Sequence, residues 1–278
     1  MHALAWVVAC LPWSWLRALG AALGFLAGSV LRIRRRHVEA SLRAAGLADT
    51  IAPRVYASLG TGVFELLWLA GRRPEAVDAC FTVAPEAAAA LARAREDGRG
   101  VVVATAHTGN WDLAACAMAR RLAPATLTVV TKRLSWKALD RWWQGLRAAR
   151  GVALAHTEGA TAAVRAALGT GGVVALMVDQ SPERSSGVAT FPFLGTAAKH
   201  DLAPVLLAAR ARAPVVVLLT RRTREGHHRL ELVDVIEAAE LRGGHGAVER
   251  AAERIARGIE RFVREHPEQW LWLHRRWK

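Results

Sequence analysis

A chain of 278 residues, 53% of them hydrophobic, is long enough for one α/β domain with a sizeable core. Its 38 basic and 24 acidic residues give a formal net charge of +14, which implies an anionic partner: nucleic acid, an anionic membrane surface, or an acidic carrier or phosphorylated lipid. Cys10, Cys80 and Cys116 are odd in number and far apart, which argues against a disulfide framework and a Cys-x-x-Cys metal site, and no zinc-finger, RRM or KH signature favours nucleic acid.

Residues 3–31 are apolar and approach the length of a membrane-spanning helix. Pro12 divides them into 3–11 and 14–31, and Trp6, Trp13 and Trp15 are residues that favour a membrane interface. Arg32, Arg34, Arg35 and Arg36 follow at once. Basic residues flanking an apolar segment stay cytoplasmic, so the rest of the chain is expected there. Two readings stand: a membrane anchor or interfacial hairpin over 1–36 followed by a domain over 37–278, or a buried first helix of the fold.

Residues 41–71 read as helices broken at Gly46 and Pro53, with Glu65 a partly exposed charge between Phe64 and Leu66. A helix over 85–97 precedes the strand Val101–Thr105 and a helix over 112–122. The strand Leu127–Thr131 ends at Lys132-Arg133, and a helix over 135–150 carries Arg147 and Arg150. A strand at 152–155, a helix at 158–168 and a strand at 173–178 come next, the last ending at Asp179-Gln180. Then follow a helix at 202–212, a strand at 215–220, an alternating strand at 228–235 expected at a sheet edge, and an amphipathic helix at 246–266. This alternation predicts an α/β fold with a mostly parallel central sheet flanked by helices.

His107, Lys132-Arg133, His156 and Asp179-Gln180 all come just after predicted strands. Parallel strands would gather them in one crevice, where ligands of open α/β sheets bind. The stretch 101–112, VVVATAHTGNWD, is the centre of this arrangement. Gly109 and Asn110 supply a turn that leaves His107 in the loop and Asp112 in the first helical turn, folded back toward the ring. A carboxylate on one imidazole nitrogen fixes the tautomer and frees the other nitrogen as a base. The alternative is a loop histidine beside an acidic residue that complements the helix dipole. No stretch reads as a metal or nucleotide site, and no serine or cysteine is placed for an acyl-enzyme.

The segment HTGNWD resembles the His-x-x-x-x-Asp motif of the glycerolipid acyltransferases, and its Gly-Asn-Trp filling is most similar to the lipid A biosynthesis (lauroyl/myristoyl) branch. VDQSPERSSGVATFPFLGTAAKH at 178–200, PVVVLLTRR at 214–222 and PEQWLWLHRRWK at 267–278 resemble the same branch, so the similarity covers nearly the whole chain. The resemblance implies transfer of a fatty acyl chain from an acyl-carrier-protein thioester, without cofactor or metal, to a glycolipid hydroxyl of a lipid A precursor. The setting it implies is the cytoplasmic face of a bacterial inner membrane. A phosphatidylinositol mannoside, another lysophospholipid acceptor, or a non-catalytic lipid-binding role are the alternatives. His107 is then the general base, aided by Asp112. Backbone N–H groups near Gly109-Asn110 and the guanidinium of Arg147 are the oxyanion donors. Asp179 and Gln180 occupy the family's Asp-Gln position toward the acceptor, or else cap a strand end. Lys132 and Arg133 are expected to face an anionic substrate, and Arg184 and Lys199 to meet a phosphate. Phe193 and Gly195, in a stretch like the family's Phe-Phe-Gly loop, are expected to line the acyl groove or to be an ordinary buried loop. The C-terminal tryptophans and His274-Arg275-Arg276 hold an anionic surface or dock on the sheet.

Overall fold

The computed structural model describes residues 2–157 and 159–277. Met1, Glu158 and Lys278, expected in the N-terminal segment, at a helix start and in the last motif, lie outside the described residues. The apolar N-terminus breaks at Pro12, which lacks the N–H that a continuous helix would need. It forms α1 (His2–Ala9) and α2 (Trp13–Phe25), and α2 runs on through the π-helical turn Leu26–Val30. Next come α3 (Arg35–Ala44) and α4 (Ala52–Gly71). α2 packs on α4 at glycines: a Cβ on Gly20, Gly24 or Gly60 would collide with the backbone of the facing helix. Small residues at the contact let the two axes approach closely. No single helix among the described residues is long and apolar enough to cross a membrane; Trp13–Val30 and Arg35–Ala44 reach that composition only as a pair bent by 92°.

The α/β body then runs β1 (Phe81–Val83), α5 (Pro85–Ala94), β2 (Val101–Thr105), α6 (Trp111–Leu122), β3 (Leu127–Thr131) and α7 (Lys137–Ala149). It continues with β4 (Val152–His156), α8 (Ala160–Gly169), β5 (Val173–Met177), the hairpin β6 (Val188–Phe193) and β7 (Thr196–Asp201), and α9 (Ala203–Ala211). β8 (Val215–Arg222), β9 (His228–Ile236) and α10 (Gly244–Glu265) complete it. Seven strands form one sheet in the order β1-β9-β8-β2-β5-β3-β4, parallel except for the β8–β9 pair.

The valine-rich strands are explained by burial on both faces. In β2, Val102 and Ala104 pack into the layer under α9 and α10, whereas Val101 and Val103 pack into the layer under α5 and α6. Two expectations are corrected. β9 is not an edge strand, because the three-residue β1 pairs along its free side and was too short to read from periodicity. The stretch read as the Phe-Pro-Phe-Leu-Gly loop is the β6–β7 hairpin, whose tip at Leu194-Gly195 has both residues at positive φ.

Candidate active site

β2 and β5 are parallel neighbours, with Thr105 opposite Met177. Two residues further on, where the strands have ended, the same register puts His107 beside Asp179. Asp179 Oδ1 lies 2.9 Å from His107 Nδ1, and its Oδ2 accepts from the His107 backbone N–H at 3.0 Å and from Trp270 Nε1 at 2.8 Å. The side chain of Asp179 is 2% exposed and that of His107 is 17% exposed. With Nδ1 held, Nε2 is the nitrogen free for proton transfer. Burial alone would lower the His107 pKa, but the charge and hydrogen bond of Asp179 outweigh it and hold the imidazole above the ordinary histidine range. Burial would raise Asp179, and the His107 interactions together with the Trp270 donor bring it below the usual carboxylate range.

The expectation that Asp112 folds back as the His107 partner is therefore corrected: Asp179 holds the ring. Asn110 Oδ1 caps α6 by accepting from the Leu113 N–H at 3.1 Å, so Asp112 lies in the first helical turn. There Asp112 Oδ1 accepts from Arg147 Nε at 2.6 Å, in a buried ion pair. Arg147 also donates to Thr131 Oγ1 at 3.1 Å, and its guanidinium sits 4.3 Å from the Trp143 ring centroid. Arg150 donates to the carbonyls of Leu69 and Arg72, which ties the end of α7 to that of α4.

Gly109 has φ +56°, and a Cβ there would meet the Thr220 carbonyl oxygen at 2.6 Å, so the turn requires glycine. Its N–H donates to the Gln269 carbonyl at 3.0 Å and is not open to an oxyanion, contrary to expectation. Asn110 is buried, and its Nδ2 donates to Glu65 Oε2 at 3.0 Å. Glu65 itself corrects the reading of a partly exposed charge, being 1% exposed. Arg222 Nε reaches its Oε1 at 2.7 Å, and His228 Nε2 lies 3.0 Å from Oε2. Burial would raise the Glu65 pKa, but His228 and Arg222 overcome that and hold it far below the usual carboxylate range. This cluster clamps the loop at 107–110 to α4 and β8. Its only signal in the sequence was a glutamate in an apolar helix face.

A cavity of about 70 Å³ opens beside Asp112 and Arg147 and runs between α6 and the sheet. Trp111, whose ring meets that of His107 edge-on with centroids 4.9 Å apart, lines its upper end together with Thr105 and Met177. Leu122, Leu127 and Val173 line it at the opposite edge of the sheet. Phe193 and Gly195 do not line this space. Phe193 is buried against Trp270 with centroids 5.7 Å apart, which matches the alternative of an ordinary buried loop. Trp270 and Trp272 are buried as well, and the Leu271 N–H donates to the His107 carbonyl, so the C-terminal segment docks on the site. Lys132 and Arg133 are exposed beyond β3; Lys132 pairs with Glu183 and Arg184 with Asp201. Gln180 is half-buried one residue beyond Asp179. Burial and the Asp112 charge push the Cys116 thiol up to about 12, so it is not a thiolate nucleophile.

A covered, mostly parallel sheet with an oriented histidine at its carboxyl edge and a narrow apolar space alongside is an α/β arrangement suited to general-base chemistry beside an apolar group. The whole chain, residues 1–278, matches the family of bacterial lipid A biosynthesis acyltransferases and belongs to it. The protein is accordingly an acyltransferase. No curated protein matches it individually.

Proposed function

We propose that the protein transfers a fatty acyl chain from an acyl-carrier-protein thioester to a hydroxyl of a lipid A precursor, at the cytoplasmic face of an inner membrane. The observation that carries this reading is the juxtaposition of the Asp179-held His107 with the apolar cavity. His107 Nε2 takes the acceptor hydroxyl proton, the oxygen forms the ester bond to the acyl carbon, and the C–S bond breaks. The departing thiolate takes the proton back from the imidazole. General-base help of this kind contributes about 10²–10⁴-fold. Arg147, on the cavity wall, supplies positive charge near the developing oxyanion, with Asp112 holding it in place.

The acyl chain lies between α6 and the sheet. Five-residue β5 spans the cavity from Met177 to Val173, and at about 3.3 Å per strand residue the depth is about 13 Å. An extended acyl chain of about ten carbons has that length but needs far more than the roughly 70 Å³ now open, so the side chains along the cavity part to admit it. The adaptable side chain of Met118 has to move aside to admit it. Exposed Arg133, Lys137 and Arg141 around Trp136, itself 69% exposed, offer an acidic carrier a basic landing beside the site. The exposed apolar residues Leu4, Trp6, Val7, Trp15 and Phe25 of α1 and α2 suit a lipid surface.

The test is transfer by purified protein in detergent. Carrier thioesters of several chain lengths are offered with lipid A precursors, phosphatidylinositol mannosides and lysophospholipids, and wild type is compared with His107→Ala. The expected result is transfer to a lipid A precursor that the variant loses. Transfer only to another lipid replaces the acceptor, and equal transfer by the variant removes His107 as the base.

A further inference from the structure

Between the π-helical turn and α3 the chain makes an elbow in which arginine alternates with apolar residues. Arg32 and Arg34 both have left-handed backbones, at φ 52° and 53°. They and Arg35 and Arg36, with Gly28 and Ser29 at the base, line an open pocket of about 630 Å³. Two of the four arginines are engaged: Arg34 donates to the Leu273 carbonyl at 2.8 Å, and Arg35 pairs with Glu39 at 2.6 Å. Arg32 and Arg36 are exposed, and no ion pair or hydrogen bond engages their guanidinium groups among the described residues. Val30, Leu31 and Ile33 beside them are 57%, 61% and 48% exposed.

We propose that this elbow is a binding site for the phosphate group of an anionic lipid. The guanidinium fork matches phosphate oxygens two at a time. The neighbouring aliphatic side chains suit the acyl boundary just beneath a headgroup, where arginine stems also lie comfortably. A soluble anion would make no use of exposed Val30, Leu31 and Ile33, so charge and apolar surface together select a lipid. The elbow is also tied to the site. Arg34 and His37 bond to the carbonyls of Leu273 and His274, in the same C-terminal segment whose Leu271 N–H bonds to His107. A headgroup held here places its lipid on the rim of the site. The proposal rests on the reading that this enzyme works on a lipid at a membrane, but its test does not depend on turnover.

Flotation of the purified full chain with vesicles would be compared for pure phosphatidylcholine and for equal parts phosphatidylcholine and phosphatidylglycerol. The variants are Arg32→Ala/Arg36→Ala and a charge-matched control, Arg250→Ala/Arg261→Ala, in two exposed arginines of α10. Thermal melting would check that each folds. The expected result is binding to the anionic vesicles only, weakened about tenfold or more in the elbow variant and retained in the control. Inorganic phosphate should displace the protein better than chloride at equal ionic strength. Equal weakening by both variants, or equal displacement by phosphate and chloride, would show that net charge alone binds and would overturn the site. Equal flotation with both kinds of vesicle, or with neither, would overturn the anionic lipid as its ligand. Loss of acyl transfer with vesicle binding intact would count against the enzymatic reading and leave the elbow standing.

Discussion

Asp112 and Asp179 show how one side chain's role depends on another's position. Both are buried carboxylates at the carboxyl edge of the sheet, yet Asp179 holds the His107 ring while Asp112 holds the Arg147 guanidinium. A buried ion pair is costly to break from one side, because the remaining charge stays out of water. Arg147→Ala is expected to destabilise the fold by about 3–5 kcal/mol. The double variant with Asp112→Ala is expected to recover part of that loss, as read by urea unfolding of the four members of the cycle. Simple additivity of the two single variants would mean that the pair does not act as a unit. The His107–Asp112 spacing was legible in the sequence, but the true partner was not. Asp179 stands 72 positions away, and only the adjacency of β2 and β5 in the strand order brings it to the ring.

At the scale of elements, most helices and strands follow directly from periodicity, because buried parallel strands are runs of valine and the helices carry clear apolar faces. The misses have a common cause. β1, the interior position of β9 and the β6–β7 hairpin all depend on which strand pairs with which, and no local pattern records pairing. The cavity beside α6 is likewise a product of packing, made where small Ala114 and Ala115 of α6 face the sheet. One turn along that helix, Met118→Trp is expected to fill the middle of the cavity and shift preference to acyl chains several carbons shorter. Leu122→Ala, at the far end, is expected to admit chains about two carbons longer, since each buried CH₂ contributes about 0.8 kcal/mol. Competition among carrier thioesters of graded length reads both changes. An unchanged preference in both variants would place the acyl chain elsewhere.

Over the whole molecule, the apolar N-terminus adjoins one part of the positive charge, the arginines of the elbow. α1 and α2 are packed on α4 through glycine contacts while their outer faces leave Trp6, Trp15 and Phe25 exposed. α4 in turn carries Glu65, whose cluster grips the loop at 107–110, and the C-terminal strand-like segment brings Trp270 to Asp179. The N-terminal helices thus reach the His107 loop through α4, and the C-terminal segment reaches it directly. The N-terminal break at Pro12 was readable from one residue, whereas this packing needed the folded chain.

If Asp179 sets the base strength of His107, the pH dependence of kcat/KM for acyl transfer differs between wild type and Asp179→Asn. The imidazole is held above its ordinary range and acts only when neutral, so wild-type activity should rise with pH through a midpoint above that of an ordinary histidine. Removing the carboxylate charge should move the midpoint to lower pH and reduce the plateau, because the weaker base is also less well oriented. An Asp179→Asn profile with the wild-type midpoint and plateau would contradict the account and return the orienting role to another residue.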